Sequence, residues 1–413
     1  MSRPRHSALV LGAGSRGRAY ADYALKCPHE LSIVAVAEPD EARRETFARR
    51  YGVPASGCFS SWQEALDAGR IADAVFICTL DDMHTLPALR AMELGYDILL
   101  EKPMSSREDE CRLIVEKAEE TGVRMSVCHV LRYTPFFRTV KKCIDDGLVG
   151  DVAVVDLREN VCFWHQAHSF VRGNWRSSVL TSSMILQKSC HDMDILLYLL
   201  GVHCLRLSSF GSLGHFRPEN APHGSALRCL DCKVAAQCPY DAARVYLGDN
   251  VGWPVDVIGD DLSLEGRRKA LQTGPYGRCV YHCDNDVVDR QTVNLEFEGG
   301  VLATFTMTGF TSDHTRELKI MGTRGQIVAR MDSGLIEYTD FLGGGTRRID
   351  MIDLHTDSFG HGGGDHLIVK EFLQSLDGTL KGVSSPATSL ESHLMCFAAE
   401  RSRLDGGRVV ELV

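Results

Sequence analysis

Hydrophobic and polar positions follow two different rhythms along this chain of 413 residues. Up to about residue 130, short apolar runs recur at 7–11, 33–37, 74–78, 97–100 and 125–128. Uninterrupted, mostly branched runs of this kind suit strands that are covered on both faces, as in parallel sheets. Between them lie amphipathic stretches at 39–51, 86–94 and 107–120. Gly52, Gly95 and Gly122 follow these stretches, where a helix commonly stops on a left-handed residue. Strand and helix in alternation predict a doubly wound parallel sheet over residues 1–130.

The rhythm changes after residue 130. A helix is expected at 135–146, and Gly147 and Gly150 lead into an alternating strand at 152–158. Strands at 293–297 and 302–307 flank Glu298-Gly299-Gly300, a hairpin signal. Further strands are expected at 318–321 and 326–329, and helices at 366–376 and 390–404. The pattern predicts a second, α+β domain over 131–413, with a large, mostly antiparallel open sheet. Helices would cover one face of that sheet. The other face would pair with another subunit in a homodimer or homotetramer. Residues 213–290 read as a loop-rich, cysteine-containing insertion.

Composition narrows the picture. A hydrophobic fraction of 44% can fill two or three cores. A net charge of −10 argues against a surface that tracks nucleic-acid phosphates. No run reaches the about 18 apolar residues of a membrane span. The basic start is followed by too short an apolar run for a secretion signal, so a cytoplasmic protein is expected. Most of the 15 cysteines then read as small buried hydrophobes in a reducing compartment.

The first chemical signal is Gly12-Ala13-Gly14-Ser15-Arg16-Gly17, between a strand and a helix. Gly12 permits a tight turn, Gly14 lets backbone approach a pyrophosphate, and Gly17 allows close packing of helix on strand. Glu38 ends the second strand, 21 positions beyond Gly17. A carboxylate there accepts hydrogen bonds from a ribose 2′-hydroxyl and repels a 2′-phosphate, favouring NAD over NADP. Arg43 and Arg44, one helical turn on, weaken that preference. Thr79 and His84 follow the fourth apolar run, at the edge where open α/β sheets bind ligands. His84 either touches the nicotinamide ribose or caps the next helix.

Glu101-Lys102-Pro103 comes directly after a buried strand. A lysine there is costly unless it is functional or paired, for instance with Glu101. Burial would lower its pKa toward the range useful for proton transfer. Gln187-Lys188-Ser189-Cys190-His191-Asp192-Met193-Asp194 leads into an apolar helix. His191 and Asp194 share a helix face by spacing, and the His191 imidazole can take a hydroxyl proton or merely cap the helix. The segment 163–176 holds His165, His168, Arg172, Trp175 and Arg176. Aromatic and hydrogen-bonding groups together suit a sugar or polyol, the preferred reading, and also a protein interface.

Cys229, Cys232 and Cys238 form C-x2-C-x5-C, with Cys279 and Cys283 later. Three close thiols and a fourth fit a closed structural zinc site, with Cys279 as the first choice for the fourth ligand, then Cys283, then His282. An iron–sulfur cluster fits less well, because the local run holds three cysteines and not four.

Taken together, Gly12–Gly17, Glu101-Lys102-Pro103, Arg132-Tyr133-Thr134-Pro135 and the His191 segment resemble the Gfo/Idh/MocA family of glucose–fructose oxidoreductase, inositol dehydrogenase and their relatives. The resemblance covers nearly the whole chain. It implies an N-terminal Rossmann domain, a C-terminal α/β domain that often forms dimers or tetramers, a bound nicotinamide cofactor, and usually a sugar or polyol substrate. It makes Lys102 the family's lysine and His191 its active-site histidine. Many members carry Asp four residues before that histidine, where this chain has Gln187 with Lys188 beside it. Either Lys188 takes a catalytic or orienting part, or His191 works with Lys102 alone. The cysteine cluster is not general to the family. The expected activity is NAD-dependent hydride transfer from a hydroxyl of a sugar, sugar derivative or polyol. One alternative is a redox-neutral enzyme that cleaves or rearranges glycosides through a transient keto sugar. The other is a non-catalytic NAD(H)-binding regulator.

Overall fold

The structure, a computed structural model, describes residues 6–354, 360–379 and 384–412. The chain divides into two compact units. The first gathers Met1–Asp151, Cys190–His203 and Asp340–Phe397; the second gathers Val152–Ser189, Cys204–Thr339 and Ala398–Val413. The His191 helix, the helix Gly364–Leu376 and the first part of the helix Pro386–Leu404 therefore fold with the N-terminal sheet, although they lie far beyond residue 130 in sequence.

The first unit is built on β1 (His6–Leu11), β2 (Leu31–Ala37), β3 (Cys58–Phe59), β4 (Ala74–Ile77), β5 (Asp97–Leu100) and β6 (Met125–Val127). These pair in parallel in the order β3-β2-β1-β4-β5-β6. The helices α1 (Ser15–Lys26), α2 (Glu41–Tyr51), α3 (Trp62–Asp67), α4 (Thr85–Glu93) and α5 (Glu108–Thr121) connect them, and α6 (Pro135–Asp145) follows β6. Alternate strand residues feed two separate cores. Ala8 and Val10 pack with α1 and with Leu367, Ile368 and Phe372 of the helix Gly364–Leu376. Leu9 and Leu11 pack with Ala88, Ala91 and Met92 of α4 and with Cys111 and Ile114 of α5. Both strand faces are thus dry, which is why the strand sequences are apolar at every position. Each buried Val or Leu contributes about 1.5–3 kcal/mol to holding the sheet. The strand order reverses at β1 and β4, so the loops after Leu11 and Ile77 open a crevice at one sheet edge.

The second unit carries strands in the order Leu335–Asp340, Gly325–Arg330, Thr315–Gly322, Val152–Asn160, Leu302–Thr308, Arg290–Phe297, Cys204–Ser212 and Val410–Glu411. Val152–Asn160 and Leu302–Thr308 pair in parallel, while their outer neighbours pair antiparallel. The 213–290 excursion holds two α-helices, Ala242–Tyr246 and Leu264–Thr273, among short turns. It also contributes to two small cores. One is built on Cys229, Ala242, Tyr246, Val255 and Leu271, and another on Phe216, Tyr240, Cys279, Val280 and Tyr281.

Candidate active site

The glycine turn sits in the crevice between β1 and β4. Gly12 has φ +93°, and a Cβ on it would lie 2.6 Å from the Cys78 carbonyl oxygen. No other residue fits there. A Cβ on Gly17 would lie 2.0 Å from the Gly12 carbonyl oxygen, so helix and turn touch backbone to backbone. Gly14 differs, because a Cβ there would meet nothing within 4 Å. It is the N-cap of α1, without a side-chain cap. The first amides of α1, including that of exposed Ser15, therefore face open space and the positive end of the helix. Glu38 Oε2 accepts the Ala13 N–H at 2.9 Å, and its Oε1 lies 3.2 Å from Arg43 Nη1. Arg44 Nη1 donates to the Glu38 carbonyl at 2.6 Å. An open anion cradle with a carboxylate beside it fits a dinucleotide.

The side chain of Arg16 is engaged elsewhere. Its Nε donates to Glu101 Oε1 at 2.6 Å, and its Nη atoms donate to Asp365 at 2.7 and 3.1 Å and to Tyr20. Glu101 also accepts the Tyr20 hydroxyl at 2.6 Å and the Lys102 backbone N–H at 2.8 Å. Burial pushes the Glu101 carboxyl up, but Arg16 and Lys102 outweigh it and hold it below the usual range. Asp365 is likewise held far down: burial raises it, and Arg16 and His361 lower it more. Glu101 thus fixes the backbone from which Lys102 projects. His84 is buried, with Nδ1 2.7 Å from the Pro103 carbonyl and Nε2 3.1 Å from the Thr79 carbonyl. It ties together the loops after β4 and β5, and its ring makes no cap hydrogen bond to α4. The Thr79 hydroxyl donates to the Met83 carbonyl at 3.2 Å.

His191 opens the helix Cys190–Leu200 and is buried. Its ring meets His129 edge-on, with centroids 5.9 Å apart, and lies 6.1 Å from His361. His129 follows β6, is fully buried, and neither ring nitrogen has a hydrogen-bond partner. Burial, then Arg132 and Lys102, push its pKa far down, so the ring is neutral. His393 packs against it at 5.5 Å and is pushed down to about 3, by burial first and then by His129. Asp194 pairs with Arg132 instead of His191, through Nε–Oδ2 at 2.6 Å and Nη2–Oδ1 at 2.7 Å. Sequence reading singled out neither His129, His361, Asp365 nor His393. The Gly362-Gly363-Gly364 run beside His361 was the one available signal, and a Cβ on Gly364 would lie 2.3 Å from the Val130 carbonyl oxygen.

The remaining predicted residues belong to the second unit. Lys188 Nζ lies 3.3 Å from Glu159 Oε1, and Arg316 pairs with the other carboxylate oxygen. Glu159 is fully buried; burial raises its pKa, but Arg316 and Lys188 hold it below the ordinary range. Gln187 donates to the Thr181 hydroxyl. His165 packs edge-on against Trp253 and His314, at 4.9 and 4.7 Å. Burial and then Lys188 keep it neutral, and its Nδ1 has no hydrogen-bond partner. His168 is bonded to the Tyr246 hydroxyl at 2.8 Å and stacks on Tyr276 at 4.8 Å. Arg172 reaches the Arg278 and Tyr240 carbonyls, and Arg176 pairs with Asp284 at 2.8 and 3.1 Å. These three side chains hold the 213–290 excursion in place. Trp175 and Trp253 remain partly exposed.

The expectation of a single zinc ion does not hold. Cys229, Cys232, Cys238 and Cys279 do line one cavity. Among the described residues, however, no three His, Cys, Asp or Glu side chains come together as one ion requires. A tetrahedral zinc needs its sulfurs about 2.3 Å from one centre, and no such group is found among the described residues. Cys283 lies off the cavity lining, and its Sγ donates to the Cys279 carbonyl at 3.3 Å. Among the described residues no helix is long and apolar enough to cross a membrane.

Residues 7–129 match the profile of an oxidoreductase family with an NAD-binding Rossmann fold, and residues 137–328 match the GFO/IDH/MocA C-terminal domain. The chain belongs to the GFO/IDH/MocA family of oxidoreductases. It is 28% identical over 264 residues to scyllo-inositol 2-dehydrogenase (NAD(+)) of Bacillus subtilis (strain 168), covering 62% of this chain and 72% of that protein. It is 32% identical over 148 residues to inositol 2-dehydrogenase of Rhizobium meliloti (strain 1021), covering 36% of this chain and 43% of that protein. The crystal structure of an oxidoreductase from Agrobacterium radiobacter, in complex with NAD+, L-tartaric acid and magnesium, shares the fold. Its TM-score is 0.71 at 14% identity, over 98% of each chain.

Proposed function

We propose that this protein is an NAD-dependent dehydrogenase that oxidises a hydroxyl of a sugar, sugar derivative or polyol. The observation that carries this reading is the layout of the first unit. Lys102 is fixed by Glu101 beside an open glycine cradle, and its charge reaches neutral His129, which packs on His191. The amides of Gly14, Ser15 and Arg16 would hold the pyrophosphate of NAD, and Glu38 its adenosine ribose. NAD held there would supply a hydride acceptor for the carbon that carries the hydroxyl. His191, or Lys102 as its neutral amine, takes the hydroxyl proton; where His191 takes it, the ammonium of Lys102 stabilises negative charge on the oxygen. Buried histidines on one side keep water from competing for that proton.

The substrate class is supported by the partly exposed Trp253 against His165 and Trp175 against Phe170, and by the inositol dehydrogenases among the relatives. Lys188, held by Glu159, is assigned an orienting part. The same reading includes a cytoplasmic location, supported by the many cysteines buried as small apolar side chains, and a homodimer or homotetramer, supported by exposed Phe210, Leu302 and Val328 on the second sheet. Incubation of the purified protein with NAD and a panel of inositols, aldoses and glycosides tests the reaction. NADH formed mole for mole with oxidised product supports a dehydrogenase. Product without NADH would favour the redox-neutral alternative, and NAD binding without any product would favour a regulator.

A further inference from the structure

The cysteine cavity in the second unit is not explained by hydride transfer. Its lining includes Cys229, Cys232, Cys238 and Cys279, brought together from a short run and a distant segment. The backbone builds this convergence. Cys232 N–H donates to the Cys229 carbonyl at 3.2 Å, closing a tight turn, and Cys279 N–H donates to the Leu227 carbonyl at 2.9 Å. Arg228 and Arg278 form an isolated antiparallel bridge beside both. The chain thus pins Cys279 against the Cys229 turn.

Arg172 supplies the second observation. It lines the same cavity and is 1% exposed. Its hydrogen bonds go to the Arg278 carbonyl at 2.7 Å, the Tyr240 carbonyl at 2.6 Å and Cys229 Sγ at 3.4 Å. No carboxylate is among these partners. A guanidinium stays charged in a protein, and a buried charge without a counter-charge is costly. The one carboxylate on the cavity wall, Asp241, caps the helix Ala242–Tyr246 through the Ala243 N–H. That wall carries one negative charge, and four thiolates around a metal core would add the negative charge that the hydrogen bonds of Arg172 lack.

Among the described residues no three His, Cys, Asp or Glu side chains gather as a single ion needs. A polynuclear core has different needs. Each cysteine of a four-iron core binds its own iron, and each pair of cysteines of a two-iron core shares one, so the sulfurs stand around a cavity and not around a point. Three cysteines close in sequence and a fourth far away is also an established layout for such cores. We infer that Cys229, Cys232, Cys238 and Cys279 ligate an iron–sulfur cluster in this cavity, with Arg172 as its buried counter-charge. Ligation replaces four S–H bonds with four S–Fe bonds and releases four protons. The iron and inorganic sulfide come from outside the chain; ferrous and ferric iron in equal amounts give a four-iron core, and ferric iron alone a two-iron core, without net electron transfer. The cluster ties the 213–290 excursion together and stands apart from the cofactor cradle of the first unit in chemistry.

The test is made on the full-length protein purified without oxygen or chelator. Iron, acid-labile sulfide and zinc are counted per chain, and the visible spectrum is recorded. The expected result is iron and sulfide in equal amounts, about two or four of each per chain, with thiolate-to-iron absorption in the visible. Protein isolated empty should gain the same signature on anaerobic reconstitution with ferrous iron, ferric iron and sulfide. Each of Cys229→Ser, Cys232→Ser, Cys238→Ser and Cys279→Ser should lose at least half of the iron, while Cys283→Ser keeps it. One zinc without sulfide, no iron after reconstitution, or full iron in all four variants would overturn the inference. These counts on the wild-type protein do not depend on a variant folding or on the dehydrogenase reading.

Discussion

Arg132 and Asp194 form a two-pronged ion pair in the dry interior of the first unit, at 2.6 and 2.7 Å. Arg132 lies just after β6, and Asp194 lies one turn into the helix that begins with Cys190 and His191. The pair therefore fixes the helix that carries His191 onto the end of the sheet that carries Lys102. Removing one partner leaves a buried charge alone. Asp194→Asn should lower unfolding free energy by about 3–5 kcal/mol. The apolar double variant Arg132→Met/Asp194→Leu should lose much less. Urea titrations of the three proteins measure this, and equal losses in both variants would show that the pair is not what holds the helix.

Buried neutral histidines give the fold a definite pH dependence. His168 and His393 are both pushed down to about 3, from an unfolded value near 6.5. Between those values the unfolded chain binds protons that the folded chain does not. Stability is therefore complete above about pH 6.5 and falls as pH drops toward 3, by about 1.4 kcal/mol per pH unit for each such histidine. Stability measured at pH 7 and at pH 5.5 should show the fall. His168→Gln, which has no ionisable group, should make it shallower. An unchanged slope would count against burial as the cause.

The two glycines of the cradle should separate folding from binding. Gly12→Ala places a methyl 2.6 Å from a backbone oxygen at a positive φ, and should yield unstable or insoluble protein. Gly14→Ala meets nothing, so it should melt near the wild-type temperature while binding NAD at least tenfold more weakly. Calorimetry reads both. Wild-type NAD affinity in Gly14→Ala would remove the pyrophosphate from that turn.

The parallel sheet was legible because its strands are dry on both faces, so Val75, Phe76, Ile98 and Leu99 needed no alternation to be read. Cys204–Ser212 was not legible. Its Ser208, Ser209 and Gly211 carry little apolar signal, and pairing with Arg290–Phe297 supplies the order. The glycine cradle, Lys102 and His191 could be read because local spacing carries their chemistry. His129 could not, since its setting comes from His191 and His393, distant in sequence. Nor did spacing reveal that Arg16, His168, Arg172 and Arg176 hold other side chains and backbone, because those partners lie more than 60 residues away. For the cysteines, spacing indicated which thiols converge but not how far apart their sulfurs would stand.

The central claim is that Lys102 and His191 carry out proton chemistry beside a bound nicotinamide. Its most direct test is turnover of NAD with a reactive polyol by wild type, Lys102→Ala and His191→Ala, together with NAD affinity of each. Each variant should lose about a hundredfold or more in kcat while its NAD dissociation constant stays within a few fold of wild type. Wild-type turnover in either variant would contradict the account.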